Sequence, residues 1–302
     1  MGKVMRKILV CGSAGFLMSN MMRYMLYRTK DYEFASIDPL RNKEDQRNIY
    51  MHKRHSFHVG DVGNPELLDR VVRIENPDIV VIGTGTPQPI YSNGAAVEDI
   101  VLPTASVCDL SKIYGFRVVR LVPDVDITDM GSRSLWNHVE TMVFDVRGTV
   151  LRMPVCFGRR GRGLFEQALC TILSGHACSG WKLDTRKRWY AYAEDVASML
   201  WFIMENPTVR IPGPPPIPNI VRMPALGCAN TADMIAMAHP VLGWGQPFTY
   251  NIYMGKEEPI LPGWMPDSKD LIDAVLKTAK WYTMNKWIFD TEGYISPLSG
   301  GR

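Results

Sequence analysis

The 302-residue chain predicts an α/β fold, a doubly wound parallel sheet with a smaller C-terminal lobe. Three observations carry that reading. Short apolar runs alternate with helical patterns through the first half, which implies a parallel sheet covered on both faces. The first run, KILVCG, passes into a glycine turn and then a helix. The second half loses the alternation and carries a proline-dense segment, PTVRIPGPPPIPN, that cannot be regular structure. The division is expected at residues 1–155 and 156–302, the two parts interleaved.

The elements follow in order. KILVCG is the first strand, and the Met-rich SNMMRYMLYRT the first helix. YEFASID is the second strand, ending on Asp38, and HSFHVGDV the third. NPELLDRVVRIENP is a helix with an Asn cap and a Pro behind it. DIVVIGTG is the fourth strand, AAVEDIVLPTASVCDLSKIYG a long helix closed by a glycine, and RVVRLVPD the fifth strand. GTVLRMPVCFG reads as one sixth strand, followed by an arginine-glycine loop and the helix LFEQALCTILSG. RKRWYAYAEDVASMLWFIMEN is a strand turning into a helix, and DSKDLIDAVLKTAKWYTMNKWIF an amphipathic helix with an aromatic end.

Composition narrows the function classes. A net charge of +3 is too small to argue for nucleic acid by itself. No apolar run approaches the length of a membrane span, and MGKVMRK leaves no room for a leader before the first strand. The cysteines Cys11, Cys108, Cys156, Cys170, Cys178 and Cys228 form no C-x-x-C pair, so reduced thiols in the cytoplasm or another reducing compartment are expected. His52, His55 and His58 recur every third residue without a cysteine or carboxylate cluster, and no metal site is expected.

The turn after the first strand has the spacing of a dinucleotide fingerprint. Gly12 makes the tight turn, Gly15 admits a pyrophosphate to the backbone, and Phe16 opens the helix. Asp38 stands at the end of the second strand, where a carboxylate takes the ribose hydroxyls of NAD and repels the extra phosphate of NADP. The third glycine is replaced by Met18, which is expected to push the helix away from the strand. NAD is accordingly expected to bind weakly or not at all.

The ordered series CGSAGFLMSN, SIDPL, GDVGNPELLDRV, PDIVVIGTG, RKRWYAYAEDVA and LKTAKWYTMNKWIF resembles the extended short-chain dehydrogenase/reductase family. Within it the chain is nearest the nucleotide-sugar epimerases and dTDP-glucose 4,6-dehydratases. The resemblance implies a Rossmann-type sheet with a substrate-binding lobe. It also implies that Asp61 and Val62 contact adenine and that Gly83 and Gly85 form the small-residue turn against the cofactor. Arg188 matches the arginine that reaches a nucleotide diphosphate, and Arg159, Arg160 and Arg162 form a flexible cationic loop beside it. A nucleotide-sugar is the implied ligand.

The family's chemistry rests on a tyrosine and a lysine four residues apart on a helix, supported by a hydroxyl at the end of strand five. Here that strand ends in Val122-Pro123-Asp124-Val125-Asp126, with no hydroxyl. The helix SLWNHVETMVF puts Trp136 at the tyrosine and Glu140 at the lysine, where the glutamate is expected to repel cofactor phosphates. Tyr282 and Lys286 make a Y-x-x-x-K in the terminal helix, read as coincidence. The span from Asp129 to Thr149 leaves room for about three turns of helix. That shortening would remove part of the family's homodimer contact and turn Leu135, Val139, Met142 and Val143 to water or another surface.

Three functions stay open on the sequence. One is a degenerate family member serving as a binding or structural subunit in a hetero-complex. Another is an active nucleotide-sugar dehydratase or epimerase with relocated groups, for which Asp124, Asp126 and His138 are the candidates. The weakest is a nucleic-acid binder using the Arg159–Arg162 and Arg186–Arg188 clusters.

Overall fold

The computed structural model describes residues 5–41, 43–85, 97–124, 130–175, 186–206, 220–243, 253–254 and 263–285. The chain forms two compact units, one of Met1–Met153 with Leu200–Met223, the other of Pro154–Met199 with Pro224–Arg302.

The first unit holds β1 (Arg6–Cys11), α1 (Phe16–Arg28), β2 (Tyr32–Asp38), a 3-10 helix (Lys43–Asn48), β3 (His55–Val59), α2 (Pro65–Glu75) and β4 (Ile79–Ile82). A single π turn (Val97–Val101), α3 (Leu102–Tyr114), β5 (Arg117–Pro123), α4 (Met130–Asp145) and β6 (Thr149–Met153) follow, and β9 (Ile220–Arg222) joins later. The sheet order is β3-β2-β1-β4-β5-β6-β9, with every pair parallel. The chain therefore reverses its direction of growth between β1 and β4, and the crevice outside those strand ends is where such sheets bind ligands. Ile8–Cys11 of β1 and all of β4 are continuous apolar runs buried at every residue, as covered parallel strands require.

Local chemistry sets the element ends. Asn64 caps α2, its side chain accepting from the Leu67 N–H at 3.1 Å, with Pro65 in the first turn. Gly115, at φ +77°, ends α3 in the left-handed conformation. The long helix expected before β5 is α-helical only from Leu102, because Pro103 has no N–H to continue the ladder of the preceding π turn.

Three expectations fail here. The single sixth strand is broken at Pro154: β6 joins the large sheet, while β7 (Val155–Phe157) belongs to a second sheet. α4 is not cut to about three turns. It runs 16 residues, about four and a half turns, because only Val146–Gly148 connect it to β6 and Arg147 reverses the chain at φ +55°. Nor do its apolar residues face outward: Val139 and Val143 are fully buried, and Leu135 and Met142 pack on the same core.

The second unit has the sheet order β11-β10-β8-β7, with β8 (Arg188–Tyr192), β10 (Gly227–Ala229) and β11 (Tyr253–Met254). Its core joins Phe157, Phe165, Tyr190 and Tyr192 to α5 (Leu164–Leu173), α7 (Thr231–Leu242) and α8 (Leu271–Met284). Between the two sheets in sequence, α6 (Ala193–Glu205) follows β8 directly.

Candidate functional site

At the end of β1 the backbone turns through Gly12 at φ +80°, its N–H bonded to the Ile37 carbonyl at 2.9 Å. A Cβ there would stand 3.1 Å from the Thr84 nitrogen, so the turn lies directly against the segment leaving β4. Gly15 donates to the Gly12 carbonyl at 3.1 Å and caps α1 without a side chain, leaving Phe16 as the first helical residue. The peptide between them is held on both sides. The Ala14 N–H donates to Asp38 Oδ2 at 3.0 Å, and its carbonyl accepts from Asn48 Nδ2 at 2.8 Å. Asp38 is buried and also accepts the Leu40 N–H at 2.9 Å. Ser13 Oγ, buried in the same loop, meets no hydrogen-bond partner among the described residues.

Met18 finds room beside the neighbouring strand: α1 starts with the Ser19 N–H on the Gly15 carbonyl at 2.9 Å, and Met18 is buried over Gly83. A Cβ on Gly83 would stand 2.3 Å from Met18 Cγ. The space lost at the third fingerprint position is supplied by a glycine on β4's exit turn.

Further along the crevice, Val62 is fully buried and Asp61 Oδ1 accepts the Gly63 N–H at 2.8 Å. Arg41 bridges Asp61 at 3.1 Å and Asp99 at 2.5 Å, tying the segments after β2 and β3 to the π turn. A groove of about 600 Å³ beside them is lined by Asp61, Gly63, Glu66 and Glu98 among others. Gly85, at φ +79°, has Ile100 against it, where a Cβ would come within 2.5 Å of Cγ1.

On β5 and α4 the surroundings differ. Val122 is buried, and Asp124 is exposed with its N–H on the Met153 carbonyl. His138 is exposed on α4, and Asp126 lies outside the described residues. Arg120 is fully buried and donates from Nη1 to the Thr84 carbonyl at 2.8 Å and the Ile82 carbonyl at 3.3 Å. The buried Trp136 ring lies 5.6 Å from its guanidinium carbon. Glu140 is engaged by the protein: its two oxygens accept from Arg152 Nε and Nη2 at 2.7 and 2.6 Å. That bidentate pair fixes α4 to β6.

In the second unit the arginine loop expected to be flexible is fastened along its length. Glu166 Oε1 accepts the Gly158 N–H at 2.8 Å, Gln167 donates to the Arg162 carbonyl, and the Tyr282 hydroxyl donates to the Gly161 carbonyl. Arg159 pairs with Glu194 at 3.0 Å, and Arg160 lies over the Trp281 ring. Burial pushes the Glu166 carboxyl up to about 7. Arg188 opens β8 in register with Ala229, and Lys286 lies outside the described residues. Asp195 accepts the Asp267 and Ser268 N–H groups, and burial raises it to about 6.

The histidines have local partners. His55 sits between Ser36 Oγ and the Tyr50 carbonyl, and His58 lies on Glu75. Among the described residues no group of three side chains is arranged to hold a metal ion, and no helix is long and apolar enough to cross a membrane. Asn48, Arg41 and Arg120 are site residues that sequence reasoning missed. Asn48 ends a short 3-10 helix and Arg41 sits just before it, neither within a motif, whereas a charged residue inside the apolar run RVVRLV was a visible signal.

Comparison with known proteins places this geometry. A dTDP-glucose 4,6-dehydratase of Neisseria meningitidis is 28% identical over 116 residues, 36% of this chain and 32% of the relative, so the match spans about a third of that protein. The crystal structure of dTDP-glucose 4,6-dehydratase from Bacillus anthracis, in complex with NAD, superimposes with a TM-score of 0.73 at 18% identity, covering 93% of this chain and 98% of the other. UDP-glucose 4-epimerase of Thermotoga maritima, solved with UDP-glucose, gives 0.69 at 16% identity, covering 92% and 99%. At these identities the two structures speak to the fold. Residues 8–122 and 130–214 match the model of one family, and the chain belongs to it: the NAD dependent epimerase/dehydratase family.

Proposed function

We propose that the chain is a catalytically degenerate member of this family, a nucleotide-binding or structural subunit and not a working dehydratase or epimerase. The observation that carries the reading is the environment at the end of β5. Val122 and Pro123 bring no hydroxyl, the indole of Trp136 is buried beside Arg120, and Glu140 is consumed by Arg152. The family's reaction needs a phenol that ionises and an ammonium beside it.

The cofactor end fits better. Gly12, Gly15 and the α1 N-terminus at Phe16 form a cradle that a Cβ would fill, and Ser13 supplies a buried hydroxyl in want of a partner. NAD, when bound, supplies a hydride acceptor. Asp38 would hold its adenosine ribose, Asp61 and Val62 its adenine, and Gly83 and Gly85 would line the turn beneath it. In the second unit Arg159 and Arg188 would face a nucleotide-sugar diphosphate. The free thiols Cys11, Cys108, Cys156, Cys170 and Cys228 support a reducing compartment.

The second reading, an active enzyme with relocated groups, is favoured by the exposure of Asp124 and His138, with Asp126 as a further candidate. Assays with dTDP-glucose and UDP-sugars separate the two. No product is expected. Steady product formation would establish an enzyme, and alanine at Asp124 or His138 would identify the group that took over.

A further inference from the structure

We infer that this crevice recognises the adenosine diphosphate group alone, and that its ligand is an ADP-bearing nucleotide whose nicotinamide, if it has one, goes unread. The inference rests on the reading of a non-catalytic nucleotide-binding chain and specifies its ligand.

A doubly wound sheet divides its ligand between two halves, the strands β1 to β3 and the strands β4 to β6. On the first half the groups are prepared before any ligand arrives. Asp38 is fixed by the Ala14 and Leu40 N–H groups, and Ala14 is held from its other side by Asn48. The loop carries a buried hydroxyl at Ser13 without a partner among the described residues. Such preorganisation lowers the ordering cost of binding.

On the second half the described residues at the ends of β4 and β5 are engaged with the protein itself. Thr84 lies against Gly12 so closely that a Cβ on the glycine would come within 3.1 Å of its nitrogen; the Thr84 carbonyl accepts from Arg120 Nη1 at 2.8 Å, and the Arg120 guanidinium carbon lies 5.6 Å from the centre of the Trp136 ring. A buried, permanently charged guanidinium therefore stands against the carbonyls of the segment that leaves β4. Oxidised nicotinamide is itself a cation, so this charge works against it in a low-dielectric surrounding. Neither Val122 nor Pro123 offers a side-chain group to a nicotinamide ribose or to its carboxamide.

Calorimetry on the full chain with ADP-ribose and NAD⁺ tests the inference, with Asp38→Asn as the control for location. The two ligands are expected to bind within about fivefold of each other, a difference of about 1 kcal/mol. The Asp38→Asn variant keeps an acceptor for Ala14 and is expected to weaken both by about tenfold, the scale of a charge-assisted hydrogen bond. NAD⁺ binding more than about fivefold tighter than ADP-ribose would overturn the inference and leave the nucleotide-binding reading standing. ADP-ribose binding unchanged in Asp38→Asn would place the site elsewhere and overturn it too. Failure of both ligands to bind would overturn the inference and the nucleotide-binding reading together.

Discussion

Met18 lies over Gly83 so closely that a Cβ on the glycine would come within 2.3 Å of Met18 Cγ and 2.6 Å of its sulfur. The fingerprint's missing third glycine on α1 is thus matched by a glycine on the neighbouring strand's exit. Gly83→Ala is expected to cost about 1–3 kcal/mol through overpacking, because backbone-proximal atoms and not a flexible tip must move. In the double variant with Met18→Ala the clash disappears, so urea denaturation should show the pair to be clearly non-additive. Simple additivity would contradict the contact.

The same relationship changes what Met18→Gly should do. Removing a fully buried methionine leaves a cavity costing roughly 2–5 kcal/mol, and a helical glycine adds to the loss. Nucleotide affinity is expected to stay unchanged, since the side chain fills space beside Gly83 and does not crowd the turn at Gly12. Tighter binding in that variant, measured by calorimetry, would show that methionine bulk obstructs the crevice after all.

Glu140 and Arg152 form a bidentate pair with 6% and 23% of their side chains exposed. Glu140→Ala should strand the guanidinium and destabilise by about 2–3 kcal/mol. That falls short of the ~3–5 kcal/mol of a fully buried pair because part of Arg152 reaches water. Replacing both residues with apolar ones of similar size is expected to recover most of the loss in the same denaturation assay.

Stability should depend on pH through Glu166. The unfolded carboxyl releases its proton near its ordinary value of 4.5, whereas burial holds it in the folded chain to about 7. Between those values the folded state binds more protons, so stability falls as pH rises through the window. Asp195, raised to about 6, acts in the same direction. Glu166→Gln keeps an acceptor for the Gly158 N–H but cannot ionise. Its melting temperature is expected to equal that of the parent near about pH 4 and to exceed it near about pH 8, by a few kcal/mol in stability. Parallel curves for the two proteins would contradict this.

The sequence showed the large sheet clearly because covered parallel strands such as ILVC and IVVI are continuous apolar runs with turn residues at their ends. It showed the glycine turn and Asp38 for the same reason, a motif confined to contiguous residues. What it hid depends on contacts distant in the chain. Met18 could be judged only with Gly83 in view, and Glu140 only with Arg152. The short strands β9, β10 and β11 carry too few residues for a periodic signal. α7 was missed although Asn230 and Asp233 form a capping box and Gly243 closes it; Pro240 inside the helix masked the pattern. The length of α4 was not legible because Gly131 and Ser132, turn formers by type, lie inside its first turn.

The proposed loss of chemistry is tested most directly by hydride transfer itself, before any product need form. The chain is mixed with NAD⁺ and dTDP-glucose, then with NAD⁺ and UDP-glucose, and the absorbance of reduced nicotinamide is followed through a single turnover. Val122, Pro123 and the buried Trp136 offer no phenolate to take the sugar hydroxyl's proton, and the absorbance should not change. A rise in reduced nicotinamide with either sugar would contradict the account and make the chain an enzyme.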